Sequence, residues 1–328
     1  MKKKRQLPGF ALACMLPRML TLATALASVA TLAQNGAASA DDAADAKLRQ
    51  ATAAAPPLAL ERVELALSPA LEVDQVSGVA ADKDGTLYII QRGTAADPII
   101  VADANGRVQR TFGRGLFNRP HSVRIDPDGN VWAVDSNTSM VYKFSPAGQK
   151  LLEIDVGDVP DPSNPSCAAS DIAFGDNGEV FVSDGYCNAR IVVYDAQGKK
   201  LREWGRHGTG PGELNLPHSI AVSPEGEVFV ADRENGRIQW FTQRGEYLGQ
   251  WHYGGRVLSV TFSSDGELYV SAEPKGAVPQ QEATLLHVDR RDGRILGKVT
   301  DFGHELGIGP DGTLLPASLG KRITVYRP

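Results

Sequence analysis

Several features are missing from this 328-residue chain, and each absence excludes something. From residue 60 to the end there is no sustained helical period, which excludes a helical solenoid. Beyond residue 33 no apolar run is long enough to span a bilayer. Positive charge is not in excess: 34 Lys and Arg stand against 39 Asp and Glu, a formal net charge of −5. Such a surface repels nucleic-acid phosphates, so a nucleic-acid partner is not expected. Cysteine is scarce, with Cys14, Cys167 and Cys187 the only three.

What the chain does have is an internal repeat. An acidic or polar residue followed by glycine recurs at Gly85, Gly129, Gly178, Gly226, Gly266 and Gly312, at intervals of 44, 49, 48, 40 and 46 residues. Around each turn lie short runs rich in β-branched and aromatic residues. In the second copy Ser122 to Ile125 is followed by Asp-Pro-Asp-Gly, then Val131 to Val134, then Val141 to Phe144. Runs of this kind joined by Asp-Gly, Asn-Gly or Gln-Gly are hairpins whose turns need positive φ. A period in this range with several short strands per unit is the signature of a propeller. The expected fold is therefore all-β, a six-bladed β-propeller over residues 58–328. The final run, Arg322 to Tyr326, falls at the third strand of its unit. The missing outer strand is assigned to Val63 to Leu67, whose pairing would close the ring and remove an exposed edge.

The first 40 residues read as a secretory signal peptide: Lys2 to Arg5, an apolar stretch from Met19 to Ala33, and a small-residue cleavage site at Ala38-Ser39-Ala40. The expected location is secreted or periplasmic, with lipid attachment at Cys14 the alternative. Cleavage would remove Lys2, Lys3, Lys4, Arg5 and Arg18 and no acidic residue, taking the charge from −5 to −10. Residues 41–57, Ala-rich with two prolines, read as a flexible lead-in. In an oxidising compartment the remaining Cys167 and Cys187 favour a disulfide; two buried thiols are the alternative.

Three of the six histidines, His121, His218 and His304, each stand eight residues before a turn glycine, in the second, fourth and sixth copies. The other copies carry Ser77, Ser170 and Leu258 there. A lone histidine at such a place would be read as a hydrogen-bonded blade residue, and pairwise duplication of blades would also give the alternation. In a closed ring, however, the three approach the axis about 120° apart, a tripod that suits zinc with one open coordination position. Seven residues past the turn glycine stand Arg92 and Arg233, and eight past it Tyr186. At one loop level these would surround the same opening. Arginine offers a fork for a carboxylate, and a tyrosine beside a cation is a candidate base. A surface or inter-blade ion pair is the alternative for each arginine, and packing for the tyrosine.

The strings Asp184-Gly-Tyr-Cys-Asn188, Leu216-Pro-His-Ser219 and Asp232-Arg-Glu-Asn-Gly-Arg237, with Arg119-Pro-His121 and Gln91-Arg92-Gly93, closely resemble the peptidyl-α-hydroxyglycine α-amidating lyase family, propellers of the NHL-repeat group. The resemblance runs from Val76 to the end and is strongest over residues 165–245. It implies zinc on His121, His218 and His304, Tyr186 as the catalytic tyrosine, and Arg92 and Arg233 lining the site. It implies a structural calcium on the carbonyls of Val79 and Val123 and the carboxylate of Glu305, where the family usually has aspartate. It also implies a small-molecule or peptide substrate bearing a carboxylate, an α-hydroxyglycine cleaved to an amide and glyoxylate. A counterpart for Cys167–Cys187 exists in the family; a second disulfide is replaced by Phe229 and Trp240. The alternative function is a non-catalytic propeller that binds a peptide, glycan or protein.

Overall fold

The computed structural model describes residues 39–68, 71–157, 168–186, 188–276, 282–301 and 303–328. The expected leader, apart from Ser39 and Ala40, lies outside these residues, as do Cys14, Cys167 and Cys187. The strands form six antiparallel four-stranded sheets. Five of them are simple up-and-down meanders of consecutive strands. Their innermost strands are Val76–Ala81, Pro120–Ile125, Asp171–Phe174, Pro217–Val222 and Arg256–Phe262, with Glu305–Ile308 in the sixth blade. Each innermost strand touches the next, and the first touches the last, so the ring closes.

Closure follows the expected route with a shifted boundary. Glu61–Leu65 pairs antiparallel with Ile323–Arg327, setting Val63 opposite Val325 and Leu65 opposite Ile323. The N-terminal strand thus supplies the outer strand of the last blade and brings it to four strands like the other five. The blades are held by apolar layers between neighbours. Ile89 and Ile100 of blade one meet Leu315 and Val325 of blade six, and Ile90 and Val101 meet Val123 and Ala133 of blade two. Similar layers lie at the other interfaces, the fifth and sixth blades meeting through Leu285, Leu306 and Tyr326. Each such aliphatic side chain contributes about 1.5–3 kcal/mol on burial. Phe229 and Trp240 sit directly opposite on neighbouring strands and stack at 5.7 Å, filling a cross-strand gap with apolar surface.

The lead-in corrects the sequence expectation. It is a helix, Ala40–Ala54, not a flexible segment. Ser39 caps it, and Asp42 closes a capping box by accepting from the Ser39 amide. Composition hid this: a run of alanines reads as low complexity, yet alanine is the best helix former. Tertiary contacts then anchor it. Leu48 inserts among Tyr253, Val257 and Ile238, and Asp45 accepts from the amides of Lys275 and Gly276 at 2.7 and 2.8 Å. Lys47 donates to the His252 carbonyl at 2.7 Å. A Cβ on Gly254 would collide with the Ala44 carbonyl, so the paired glycines Gly254-Gly255 admit the helix. No described helix is long and apolar enough to cross a membrane. Leu48→Ala should cost about 2–5 kcal/mol and lower the melting temperature by several degrees in a thermal scan; an undocked segment would give no shift.

Candidate metal centre

The site is built by a local irregularity that recurs around the ring. In blades one, two, four and five the strand register slips so that Ser77, His121, His218 and Leu258 are left without a partner of their own. In the sixth blade the amide of His304 donates to Ala317, which also pairs with Glu305. In the third blade Ser170 likewise donates to Ser183, the partner of Asp171. Two residues therefore face one at the start of every blade. Such bulges re-aim a side chain, and here they bring alternate histidines together.

The three imidazoles converge. Their ring centroids are 4.7, 4.8 and 5.0 Å apart, and His121 and His218 are fully buried. Imidazoles bound at 2.0–2.1 Å to one tetrahedral ion place their centroids about 5 Å apart. The tautomers are set from behind. Nδ1 of His218 meets the Leu258 carbonyl at 2.7 Å, and Nδ1 of His304 meets that of Ser77 at 3.4 Å. For His121 the matching residue is Ser170, whose backbone draws its pKa upward, although Nδ1 closes no full hydrogen bond. Each histidine thus faces the equivalent residue of the following blade. A proton kept on Nδ1 leaves the Nε2 lone pairs free to hold a metal. Burial, first of all, pushes all three pKa values down, that of His218 to about 3. Neutral imidazole is the form that ligates.

Tyr186 closes the open side. Its hydroxyl lies 2.6 Å from Nε2 of His121 and 3.2 Å from Nε2 of His218. The loop that presents it depends on Gly185, where a Cβ would collide with the Pro217 carbonyl, and on Asp184, which accepts from Asn188 and Arg190 at 2.9 Å each. Burial pushes the phenol pKa up, while Arg233, Arg92 and Arg119 pull it back. In the metal-free protein the tyrosine is therefore a phenol.

Arg92 and Arg233 lie close enough for their charges to bear on Tyr186. Nε of Arg92 donates to the Pro120 carbonyl at 3.0 Å, while its buried Nη2 has no hydrogen-bond partner among the described residues. The loop carrying Arg233 is organised by its neighbours. Asp232, fully buried, accepts from Asn215, Asn235, Arg237 and Gln239, and Gly236 ends the turn in the left-handed region. Arg237 takes Asp232 and Arg256 takes Glu234. Nε of Arg233 approaches Glu234 at 3.3 Å without a hydrogen bond.

Glu305 completes a buried group of four potential ligands with the histidines, but it lies on their other side. Its Oε1 is nearest Nδ1 of His121 and His218, at 3.8 and 3.7 Å, rather than the Nε2 atoms that face Tyr186. The expected calcium set does not fit that ion. Glu305 accepts from Nη2 of Arg124 at 2.8 Å, and the Val123 carbonyl accepts from Nη1 of the same side chain at 3.3 Å. Burial and the nearby Asp171 carboxylate push the Glu305 pKa up, against the pull of Arg124. Sequence reasoning passed over Arg119, Arg124 and Asp171. Arg119 lies in the Arg-Pro-His string before His121, and Arg124 is the one large residue at its repeat position.

Residues 214–241 match the family model described as "NHL repeat". Peptidyl-glycine alpha-amidating monooxygenase of Mus musculus is 31% identical over 282 residues, covering 73% of this chain and 29% of that protein. Peptidyl-alpha-hydroxyglycine alpha-amidating lyase 2 of Drosophila melanogaster is 36% identical over 249 residues, 70% of this chain and 59% of that one. The chain thus spans about three tenths of the length of the mouse relative. Among solved structures, a catalytically inactive virginiamycin B lyase from Staphylococcus aureus with quinupristin superposes with a TM-score of 0.59 at 15% identity, over 82% of this chain and 99% of that one. That likeness is one of fold.

The lowered histidine pKa values carry a pH dependence. An unfolded imidazole takes up a proton near 6.5 that the folded site refuses, so the metal-free protein loses stability as pH falls from 6.5 toward about 3, the value for His218. Glu305, displaced upward, acts in the opposite sense as one group against three. Melting temperatures of metal-stripped protein should fall across this window, and His218→Ala should flatten the slope.

Proposed function

We propose that this chain, a member of the peptidyl-α-hydroxyglycine α-amidating lyase family of NHL-repeat propellers, cleaves the C–N bond of peptidyl- or N-acyl-α-hydroxyglycines. The products are an amide and glyoxylate. One observation carries the reading: a single phenolic hydroxyl touches two of three convergent imidazoles, beside an arginine with a buried, unpartnered nitrogen.

Zinc is the ion proposed for His121, His218 and His304; when bound, it would supply a Lewis-acid charge that favours oxygen anions nearby, the Tyr186 phenolate included. Arg92, through its unpartnered Nη2, and Arg233 hold the substrate carboxylate and fix the carbon between them and the tyrosine. Tyr186 takes the proton of the substrate hydroxyl. As the C=O of glyoxylate forms, the C–N bond breaks and the proton held by Tyr186 passes to the departing amide nitrogen. Atoms balance without added water or oxidant. The three histidines are buried, and limited access of solvent strengthens polar contacts of this kind.

Export to the periplasm or outside the cell belongs to the same reading, supported by the first 40 residues, as does a disulfide between Cys167 and Cys187.

The test is glyoxylate release from a panel of N-acyl-α-hydroxyglycines by zinc-loaded protein. Tyr186→Phe should lower kcat by roughly 10²–10⁴-fold with little change in KM. Arg92→Ala should lower kcat/KM by about 10–100-fold, chiefly through KM. His218→Ala should lose both metal and activity. Equal inactivity of wild type and all three variants would sink the lyase reading and leave a binding platform.

A further inference from the structure

We infer that the guanidinium of Arg124 is a built-in substitute for the structural calcium implied by the family resemblance, so that this chain ties its channel floor together without that ion. The inference does not depend on the lyase reading, because it concerns the opposite side of the imidazoles.

The contacts come first. Nη2 of Arg124 donates to Asp171 at 2.6 Å and to Glu305 at 2.8 Å, and Nη1 donates to the Val123 carbonyl at 3.3 Å. Two of the three groups expected to hold calcium, the Val123 carbonyl and Oε2 of Glu305, thus accept from one side chain, while the buried Oε1 of Glu305 has no hydrogen-bond partner among the described residues. The third, the Val79 carbonyl, faces Gly307 of blade six so closely that a Cβ there would collide with it. Both carboxylates are fully buried and the arginine is 15% exposed. Calcium needs six to eight oxygens at about 2.3–2.6 Å; here nitrogens already lie at hydrogen-bonding distance from those oxygens.

The repeat shows that room has been made for the guanidinium. Arg124 stands three residues past the bulged histidine. The other five blades carry Ala80, Ala173, Ala221, Thr261 and Gly307 at that position. One long side chain therefore enters a ring of small ones. It forms part of the lining of a funnel of about 680 Å³ on the face away from Tyr186.

The electrostatics agree. A guanidinium is permanently charged and presents a planar fork that engages two carboxylates at once. A divalent ion beside it would stand against a fixed positive charge in a site of low dielectric. Arg124 also does mechanically what a shared ion would do: it joins blade two to Asp171 of blade three and Glu305 of blade six. Glu305 is thereby held beneath Nδ1 of His121 and His218.

The experiment uses the full chain, zinc-loaded, in calcium-depleted buffer with and without added calcium chloride, and magnesium chloride as the control. Elemental analysis after desalting should find no stoichiometric calcium in the wild type, and its melting temperature should not respond to calcium. Arg124→Ala should melt roughly 5–10 °C lower in calcium-free buffer, because two buried carboxylates lose their counter-charge. Calcium, but not magnesium, should recover much of that loss, since the freed carboxylates and carbonyls form an all-oxygen set. A wild-type chain that retains one calcium and melts lower without it would overturn the inference, as would an Arg124→Ala chain as stable as wild type in calcium-free buffer. If Arg124→Ala does not fold, the wild-type calcium content and melting response decide the matter.

Discussion

Everything at the axis depends on one backbone irregularity, the two-against-one pairing at the start of each innermost strand. Side chains alternate faces along a strand, so a one-residue change of register moves a residue to the other face. The extra residue sets His121, His218 and His304 against one another and leaves the next residue buried at the same end of the strand. That next residue is Gly78, Ser122, Asp171, Ser219, Ser259 or Glu305, every one buried. The propeller thus carries two stacked polar layers in a molecule otherwise held by apolar contacts between blades.

Buried polar layers are costly unless satisfied, and these are satisfied in part: Nδ1 of His121, Oδ1 of Asp171 and Oε1 of Glu305 have no hydrogen-bond partner among the described residues. The upper layer is neutral, because burial keeps the imidazoles unprotonated and carbonyls of the following blades face their Nδ1 atoms. The lower layer is charged but paired: Arg124 bridges Asp171 and Glu305, and the Ser219 hydroxyl donates to Asp171 at 2.8 Å. Above the histidines the charge is positive, from Arg92, Arg119 and Arg233 around Tyr186. Positive charge therefore lies on the Tyr186 side, and the negative groups lie behind the imidazoles. This polarity gives the two faces of the ring different chemistry.

The likeness to a virginiamycin B lyase at 15% identity shows how little the ring itself specifies. A propeller is a scaffold, and chemistry resides in the side chains mounted on it. Here two loops do the mounting. Gly185 lets the tyrosine loop approach the Pro217 carbonyl, and Asp232 gathers four donors to shape the arginine loop. The helix Ala40–Ala54 does the same for blade five from outside, with Leu48 as its anchor.

The sequence alone determined the number of blades, the closing strand and the identity of the histidine tripod, because those are written as a period and an offset, and strand alternation converts offset into direction. It also marked Tyr186, Arg92 and Arg233 as residues of one loop level. Tertiary structure decided the rest. The docked helix was hidden because alanines carry no periodic signal, and its order comes from contacts with residues some 200 positions away, such as His252. The exchange of an expected ion for Arg124 was equally out of reach: whether Glu305 meets a metal or a guanidinium depends on a side chain from a blade 181 residues earlier in the chain. Local pattern sets which way a residue faces, and only closure of the ring sets what it meets there.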